Sequence, residues 1–263
     1  MYGFSFERAN SVADAAVKIA TSGQALAGGQ TLLASMKQRL SSPEKLVDLS
    51  AITELKGVYR EGNSLVIGAM TRHQEVANNA EVKKLIPALG VLAAGIGDKQ
   101  VRAMGTIGGS LANNDPSACY PSAVLALNAT VKTNRREIAA DNFFQGLYTT
   151  ALEPGELIVS VSFPVPKLAG YGKFRQQASR YALVGVFVAK TESGVRVAVT
   201  GAGNGVFRHT KLEAALNKDF SASAVDAVNV DAAEMNADLH ASSEYRAQLV
   251  KVETKRALQQ AQR

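Results

Sequence analysis

The stretch "GTIGGSLANNDP", residues 105–116, sets two glycines side by side behind an apolar residue, and "AGGQT", residues 27–31, repeats the device far upstream. Adjacent glycines admit positive φ and let a ligand approach the main chain with no Cβ in between, so their free N–H groups can point at phosphate oxygens. Where such a turn precedes a helix, the orphan donors and the dipole of the helix N-terminus favour the same anion. A lone glycine pair is most often only a tight turn. Two of them, wrapped by hydrogen-bonding residues (Gln30 and Thr31; Thr106, Ser110, Asn113, Asn114 and Asp115), point to one shared ligand with two phosphates, a dinucleotide. No G-x-G-x-x-G follows the first strand, so a Rossmann-type nicotinamide site is a poor fit.

The surrounding periodicity places these turns on a frame. Val12, Ala15, Ala16 and Ile19 have helical spacing behind Ser11, a natural N-cap. QALAGG then reads as a short buried strand stopped by glycines, and TLLASMKQRL as a helix that Pro43 ends. KLVDLS and SLVIGA read as strands on either side of the REGNS turn. Thr71 to Gln74 has capping-box spacing with Thr71 as the cap, and Glu75 to Gly95 reads as helix with a stop near Pro87. ELIVSVSFPVP, 156–166, alternates before two prolines, which mark a domain boundary near residue 166. Beyond it YALVGVFVAK and VRVAVTGAG form a hairpin through TESG; an acidic, Ala-rich solvated surface spans 218–245; and Leu249, Val252, Leu258 and Ala261 share one face of a terminal helix.

A chain of 263 residues suits two modest domains, each with its own core. Its 29 basic and 23 acidic side chains give a net charge of +6, which favours an anionic ligand or an acidic partner. The cations are dispersed and not interleaved with aromatic residues, so no nucleic-acid partner is indicated. One cysteine, Cys119, rules out an intrachain disulfide, a Cys-based zinc site and an iron–sulfur cluster held by this chain alone. His73, His209 and His240 have no metal-ligand spacing. No apolar run approaches the roughly 18 to 20 residues that cross a bilayer. The N-terminus lacks signal-peptide character, so the expected location is cytoplasmic.

Five blocks carry a wider likeness: "LAGGQTLLASMKQRLSSPEKLVDLSAI", "VIGAMTRHQEV", "QVRAMGTIGGSLANNDPSACYPSAVLALNA", "FFQGLYTTALEPGELIVSVSFPVP" and "SRYALVGVFVA". In this order they resemble the FAD-binding medium subunit of molybdenum hydroxylases, the carbon monoxide dehydrogenase and xanthine dehydrogenase group, over practically the whole chain. The resemblance implies an α+β fold of the vanillyl-alcohol-oxidase (PCMH) type. Residues 1–166 would form the FAD-binding domain, in subdomains of about 1–57 and 58–166, and residues 167–263 a C-terminal domain of antiparallel sheet plus helices.

Carried over by position, the resemblance gives the FAD pyrophosphate to Ala27, Gly28, Gly29, Gln30 and Thr31 and to Thr106, Ile107, Gly108, Gly109 and Ser110. Leu26 and Leu32 would line that cleft, with Asn113 and Asp115 among its polar groups. Ile96 would be an apolar contact to the flavin, Ile158 an aliphatic one, Lys173 a basic residue near the cofactor, and Tyr181 the aromatic cover of one ring face. Two positions depart from the family pattern: Cys119 and Arg180 stand where it carries aspartates. Cys119 is retained only as a contact, and Asp115 would supply part of the missing acceptor capacity. Read without the likeness, Cys119 is a small buried apolar residue, Tyr181 a core filler, and Lys173 and Arg180 solvated charges.

The function this implies is electron transfer. FAD on this chain would receive electrons from iron–sulfur clusters (two-iron, two-sulfur) of a small partner, fed by the molybdopterin of a large partner, in a dimer of heterotrimers. A self-contained flavin oxidoreductase and a non-catalytic nucleotide-binding module are the competing readings.

Overall fold

The computed structural model describes residues 1–263. A strand the sequence pattern does not announce, β1 (Ser5–Arg8), precedes α1 (Val12–Ala20), where the Ser11 hydroxyl accepts the Asp14 N–H at 3.1 Å as expected of an N-cap. β2 (Gly23–Leu26), α2 (Leu32–Lys37) and β3 (Lys45–Asp48) follow. The three strands form a parallel sheet in the order β1-β3-β2, so β2 is a half-buried edge strand and β3 the buried centre. Ala15, Val47, Ile52 and Leu55 pack beneath it as a small core.

β4 (Val58–Glu61) and β5 (Ser64–Gly68) form the hairpin around Gly62. The run expected as one helix interrupted at Pro87 is three: α3 (His73–Asn78), α4 (Ala80–Leu85) and α5 (Pro87–Ala94). Asn79 makes the additional break, its side chain capping α4 by accepting from Glu81 and Val82 N–H, and Pro87 starts α5, where its missing donor costs nothing. The capping box lies one residue on from its expected place. Arg72 is the N-cap and its N–H donates to Glu75 at 2.7 Å, whereas the Thr71 hydroxyl is turned inward to the Gly57 N–H and carbonyl, each at 3.0 Å.

α6 (Lys99–Met104), α7 (Ile107–Asn113) and α8 (Tyr120–Ala126) come next, followed by β6 (Thr130–Thr133), β7 (Glu137–Ala139), α9 (Ala140–Phe143), the small hairpin β8 (Phe144–Gly146) and β9 (Thr149–Thr150), and β10 (Ile158–Pro164). β10 enters the middle of a second, antiparallel sheet of order β4-β5-β10-β6-β7.

β11 (Leu168–Arg175), β12 (Ala182–Thr191), β13 (Gly194–Thr200) and β14 (Phe207–Arg208) make a third sheet, antiparallel throughout, with the β12–β13 hairpin turning through TESG as expected. α10 (Thr210–Lys218), α11 (Ala222–Asp226) and α12 (Ser243–Ala261) cover it. The acidic segment is not wholly a solvated surface, because Val225, Val230 and Met235 reach the core under α12. On α12, Leu249, Leu258 and Ala261 are buried but Val252 is only half-buried; Val250, Glu253 and Thr254 take the inner face instead. The helix lies directly on strand backbone at Gly170 and Gly172, leaving no room there for a long side chain.

The largest core does not stop at the second sheet. Leu65, Val161 and Phe163 from that sheet, Tyr120 and Val124 from α8, and Tyr171, Phe187 and Ala198 from the third sheet belong to one apolar cluster. Arg196 ties the same seam: Nε donates to Leu125 O at 2.9 Å, Nη1 to Asn128 Oδ1 at 3.1 Å, and the guanidinium pairs with Asp141.

Candidate functional site

Leu26 ends β2, and the chain then runs through Ala27–Thr31 before α2 begins. Gly29 takes φ +70°, a conformation that favours glycine. None of the five N–H groups from Ala27 to Thr31 finds an acceptor within the chain. Five successive unpaired donors in a turn make a concave, positively polarised main-chain surface of the kind that binds anions.

The second glycine stretch faces the first. Gly28 lies so close to Met104 and Gly105 that a Cβ there would sit 2.7 Å from the Gly105 Cα, and a Cβ on Gly109 would be 3.5 Å from that of Ala27. Gly108 and Gly109 are not a turn, however. They form the first helical turn of α7, capped by Thr106, whose hydroxyl accepts the Gly109 N–H at 3.2 Å. The donors expected to be free there are engaged: Ile107 N–H with Thr71 O at 3.1 Å, Gly108 N–H with Ala69 O at 2.8 Å, and Ser110 N–H with Thr106 O at 3.0 Å. Glycine at 108 is required by contact, since a Cβ would meet that of Ala69 at 2.6 Å.

Between the two stretches opens a cleft of about 830 Å³, toward the upper end of the ~300–1,000 Å³ typical of small-molecule sites. Of the residues singled out from sequence, Ala27, Gly28, Gly29, Gln30, Thr31 and Leu32 line it from one side. Thr106, Gly108, Gly109, Ser110, Asn113, Asp115 and Cys119 line it from the other. Ile96, Ile158, Lys173 and Tyr181 complete the wall. Two do not reach it: Ile107 is fully buried in the large core, and Leu26 packs beneath the Gly29 turn.

Lys173 is not a solvated charge. Its ammonium donates to Gly95 O at 2.9 Å, just past the C-terminus of α5, and to Arg180 O at 2.8 Å, fixing the turn that presents Tyr181. Arg180 adopts φ +61° in that turn, and its side chain is exposed. Tyr181 stays about half exposed at 45%, so it is no core filler. Its hydroxyl is held above the usual phenol range, chiefly by desolvation and then by the Asp115 charge. Asp115 accepts from Ser117 N–H at 2.8 Å and from the Tyr148 hydroxyl at 3.3 Å. Cys119 is a buried free thiol, 5% exposed, at the start of α8.

Sequence reasoning missed His73, Tyr148, Gly97 and Glu156, which also line the cleft. His73 is buried against Tyr120 with ring centroids 5.4 Å apart; burial, helped by the nearby Arg102 charge, lowers it to about 4, so it is a neutral wall at neutral pH. Glu156 is lowered to about 2, mainly by its hydrogen bonds from Arg136. Nothing local in the sequence marks these residues as cleft-lining.

The lining suits a dinucleotide: it combines unpaired main-chain donors, apolar Leu32, Ile96 and Ile158, and a half-exposed tyrosine. No group of three or more His, Cys, Asp or Glu side chains could hold a metal ion. No helix is long and apolar enough to cross a membrane.

The comparisons agree along the whole chain. Residues 2–166 match the family described as FAD binding domain in molybdopterin dehydrogenase. The carbon monoxide dehydrogenase medium chain of Afipia carboxidovorans is 34% identical, with 98% of this chain and 96% of that protein covered. The nicotine 6-hydroxylase medium subunit of Paenarthrobacter nicotinovorans is also 34% identical, covering 90% and 88%. Among solved structures, a Cu,Mo-CO dehydrogenase superposes with a TM-score of 0.92 at 32% identity, covering 99% of this chain and 98% of that one. The fold is thus the expected α+β FAD-binding architecture with a C-terminal antiparallel sheet, and the chain belongs to the FAD-binding medium subunits of the molybdenum hydroxylases.

Proposed function

We propose that the cleft between the two glycine stretches holds FAD and that the chain relays electrons through it from partner iron–sulfur clusters to a terminal acceptor. The observation that carries this reading is the run of five unpaired N–H groups, Ala27 to Thr31, opposite Gly109. A diphosphate placed there meets main-chain donors without displacing any existing hydrogen bond, and Gly109 leaves it room. When bound, the flavin supplies the ability to take electrons singly and release them in pairs.

The side chains of this protein would bind, orient and shield. Ser110, Asn113 and Asp115 offer hydroxyl, amide and carboxylate groups to the ribose and ribityl hydroxyls. Leu32, Ile96 and Ile158 exclude water from the ring system, with Cys119 as a further contact. Tyr181 covers one ring face, and Lys173 positions it by holding the Arg180 carbonyl. Arg180 brings a positive charge near the ring, which favours the more negative, reduced form and so raises the potential. The cleft contains no nucleophile–base–orienter constellation, so substrate oxidation is assigned to a large molybdopterin-binding partner, with a small iron–sulfur partner between.

Further parts of the reading are the division into residues 1–166 and 167–263, a dimer of heterotrimers, and a cytoplasmic setting suited to the free Cys119 thiol. The test is native co-purification with absorbance, metal analysis and mass spectrometry. A yellow complex of three different chains containing molybdenum and iron is expected. A chain that stays colourless with added FAD, or a lone flavoprotein that turns over substrate, overturns it.

A further inference from the structure

Asn114 ends α7 in the left-handed region, φ 44°, with only 2% of its surface exposed. Its Nδ2 donates to Gly146 O at 2.8 Å and Thr149 O at 2.7 Å, so one side chain pins both strands of the β8–β9 hairpin. The helix that faces the glycine turn at its start therefore fixes, at its end, a hairpin whose tip, Leu147–Tyr148, stands out from the fold with both side chains more than half exposed. Tyr148 has φ +53°, and its hydroxyl reaches the Asp115 carboxylate. The Gln176–Tyr181 turn, anchored by Lys173, contains a third non-glycine residue in that strained region, Arg180. Strain of this kind persists only where the surroundings enforce it, and it clusters at working sites.

Tyr148 and Tyr181, with Asp115, Ser117 and Ser179, form a wall that the flavin cleft shares with a second cavity of about 370 Å³. The lining of this outer cavity is mostly polar. The Asn236 amide, the His240 imidazole and the Ser117 hydroxyl make no hydrogen bond within the chain. The charged groups are Asp115, which has no cationic partner, and Asp238, which pairs with Arg246 at 2.7 Å; the balance disfavours an anionic occupant.

Resting on the reading of the larger cleft as the flavin site, we propose that the outer cavity is the docking site of the electron acceptor. The acceptor would be a small, uncharged or cationic, water-soluble ring molecule with carbonyl or amide substituents, admitted to the flavin past the Tyr148–Tyr181 partition. For a quinone the transfer moves two electrons and two protons from the reduced flavin, which returns to its oxidised form as the quinone becomes hydroquinone. The volume accommodates one or two rings with their substituents, and the polar wall rejects an alkyl tail.

The test uses the FAD-loaded native complex, reduced anaerobically and mixed with a tail-less dimethoxymethylbenzoquinone or its decyl-tailed analogue. The tail-less quinone should reoxidise the flavin at least about tenfold faster. Asn236→Leu should raise its KM about tenfold, the worth of one hydrogen bond, with kcat and FAD content kept. Tyr148→Gly, which also relieves the left-handed strain, should at least double the quenching of flavin fluorescence by the neutral quencher acrylamide and admit the decyl analogue. An unchanged KM in the first variant, or unchanged quenching in the second, at full FAD content overturns the proposal. Loss of FAD from the wild-type protein would instead overturn the cleft assignment, so the two failures are distinct.

Discussion

Gly109→Ala adds one methyl group on the wall of the cleft, in the first turn of α7. Its Cβ would lie 3.0 Å from the Thr106 hydroxyl oxygen and 3.5 Å from the Ala27 Cβ, so the chain accommodates it with a shift of a few tenths of an ångström. Alanine in a helix is better than glycine by about 0.5–1 kcal/mol, which offsets the tight contact. The unliganded protein should therefore melt within about 2–4 °C of wild type. Binding should respond in the opposite sense. The methyl group pushes a diphosphate off the Ala27–Thr31 donors, and a hydrogen bond to a charged oxygen contributes about 1.5–3 kcal/mol. Losing two costs ~3–6 kcal/mol, or roughly 10²–10⁴ in the Kd for FAD. The assay is titration of flavin-free protein with FAD, followed by the quenching of flavin fluorescence, beside a thermal melt. Gly62→Ala is the control. At φ +58° with open space around it, it should lose about 1–2 kcal/mol of stability and bind FAD as wild type does. Gly109→Ala with a Kd within threefold of wild type, or an equal loss in the control, would refute the reasoning.

Tyr181→Ala should retain FAD while changing its visible spectrum and its rate of reoxidation; a variant indistinguishable in both removes the ring-covering role. His73 titrates near 4 when folded and near its ordinary value of 6.5 when unfolded. The unfolded chain therefore binds the extra proton first, and on the order of 3 kcal/mol of stability should be lost as pH falls from 6.5 to 4. Urea unfolding of wild type and His73→Asn across that window measures it, and parallel curves would contradict the burial argument. Arg196→Ala removes the guanidinium's hydrogen bonds to Leu125 O and Asn128 Oδ1 and its ion pair with Asp141, although Leu125 O keeps the Asn128 N–H and the half-exposed Asp141 keeps Arg208 at 3.4 Å. It should cost about 1–3 kcal/mol, the worth of the lost hydrogen bonds, read from urea midpoints, and a loss under about 0.5 kcal/mol would show that the guanidinium does not tie the seam.

The elements readable from sequence are those whose causes are local. Ser11 caps α1 with its own hydroxyl, and the TESG turn closes a hairpin because its final glycine, Gly194, takes φ +122°. The meeting of Gly28 with Gly105 followed from the chemistry of a shared ligand, and its geometry is carried by backbone contact. What escaped is decided at long range. Gly108 reads as turn chemistry, but the residue is small because Ala69 lies against it. Thr71 reads as a cap but turns to Gly57, so the box moves to Arg72 and Glu75. Tyr148 carries no local signal for positive φ; the clamp of Asn114 on the hairpin imposes it. Ile107 sits in the right motif with its side chain on the inner face of α7.

The apolar cluster that runs from Leu65 through α8 to Phe187 also has a kinetic consequence. An interface made of continuous core cannot part and rejoin as a hinge does, so residues 58–166 and 167–263 should melt together as one cooperative unit. A nascent chain released at residue 166 would present α8 and its neighbours to solvent as a sticky apolar face. Synthesis of the last hundred or so residues is then what makes the earlier ones soluble.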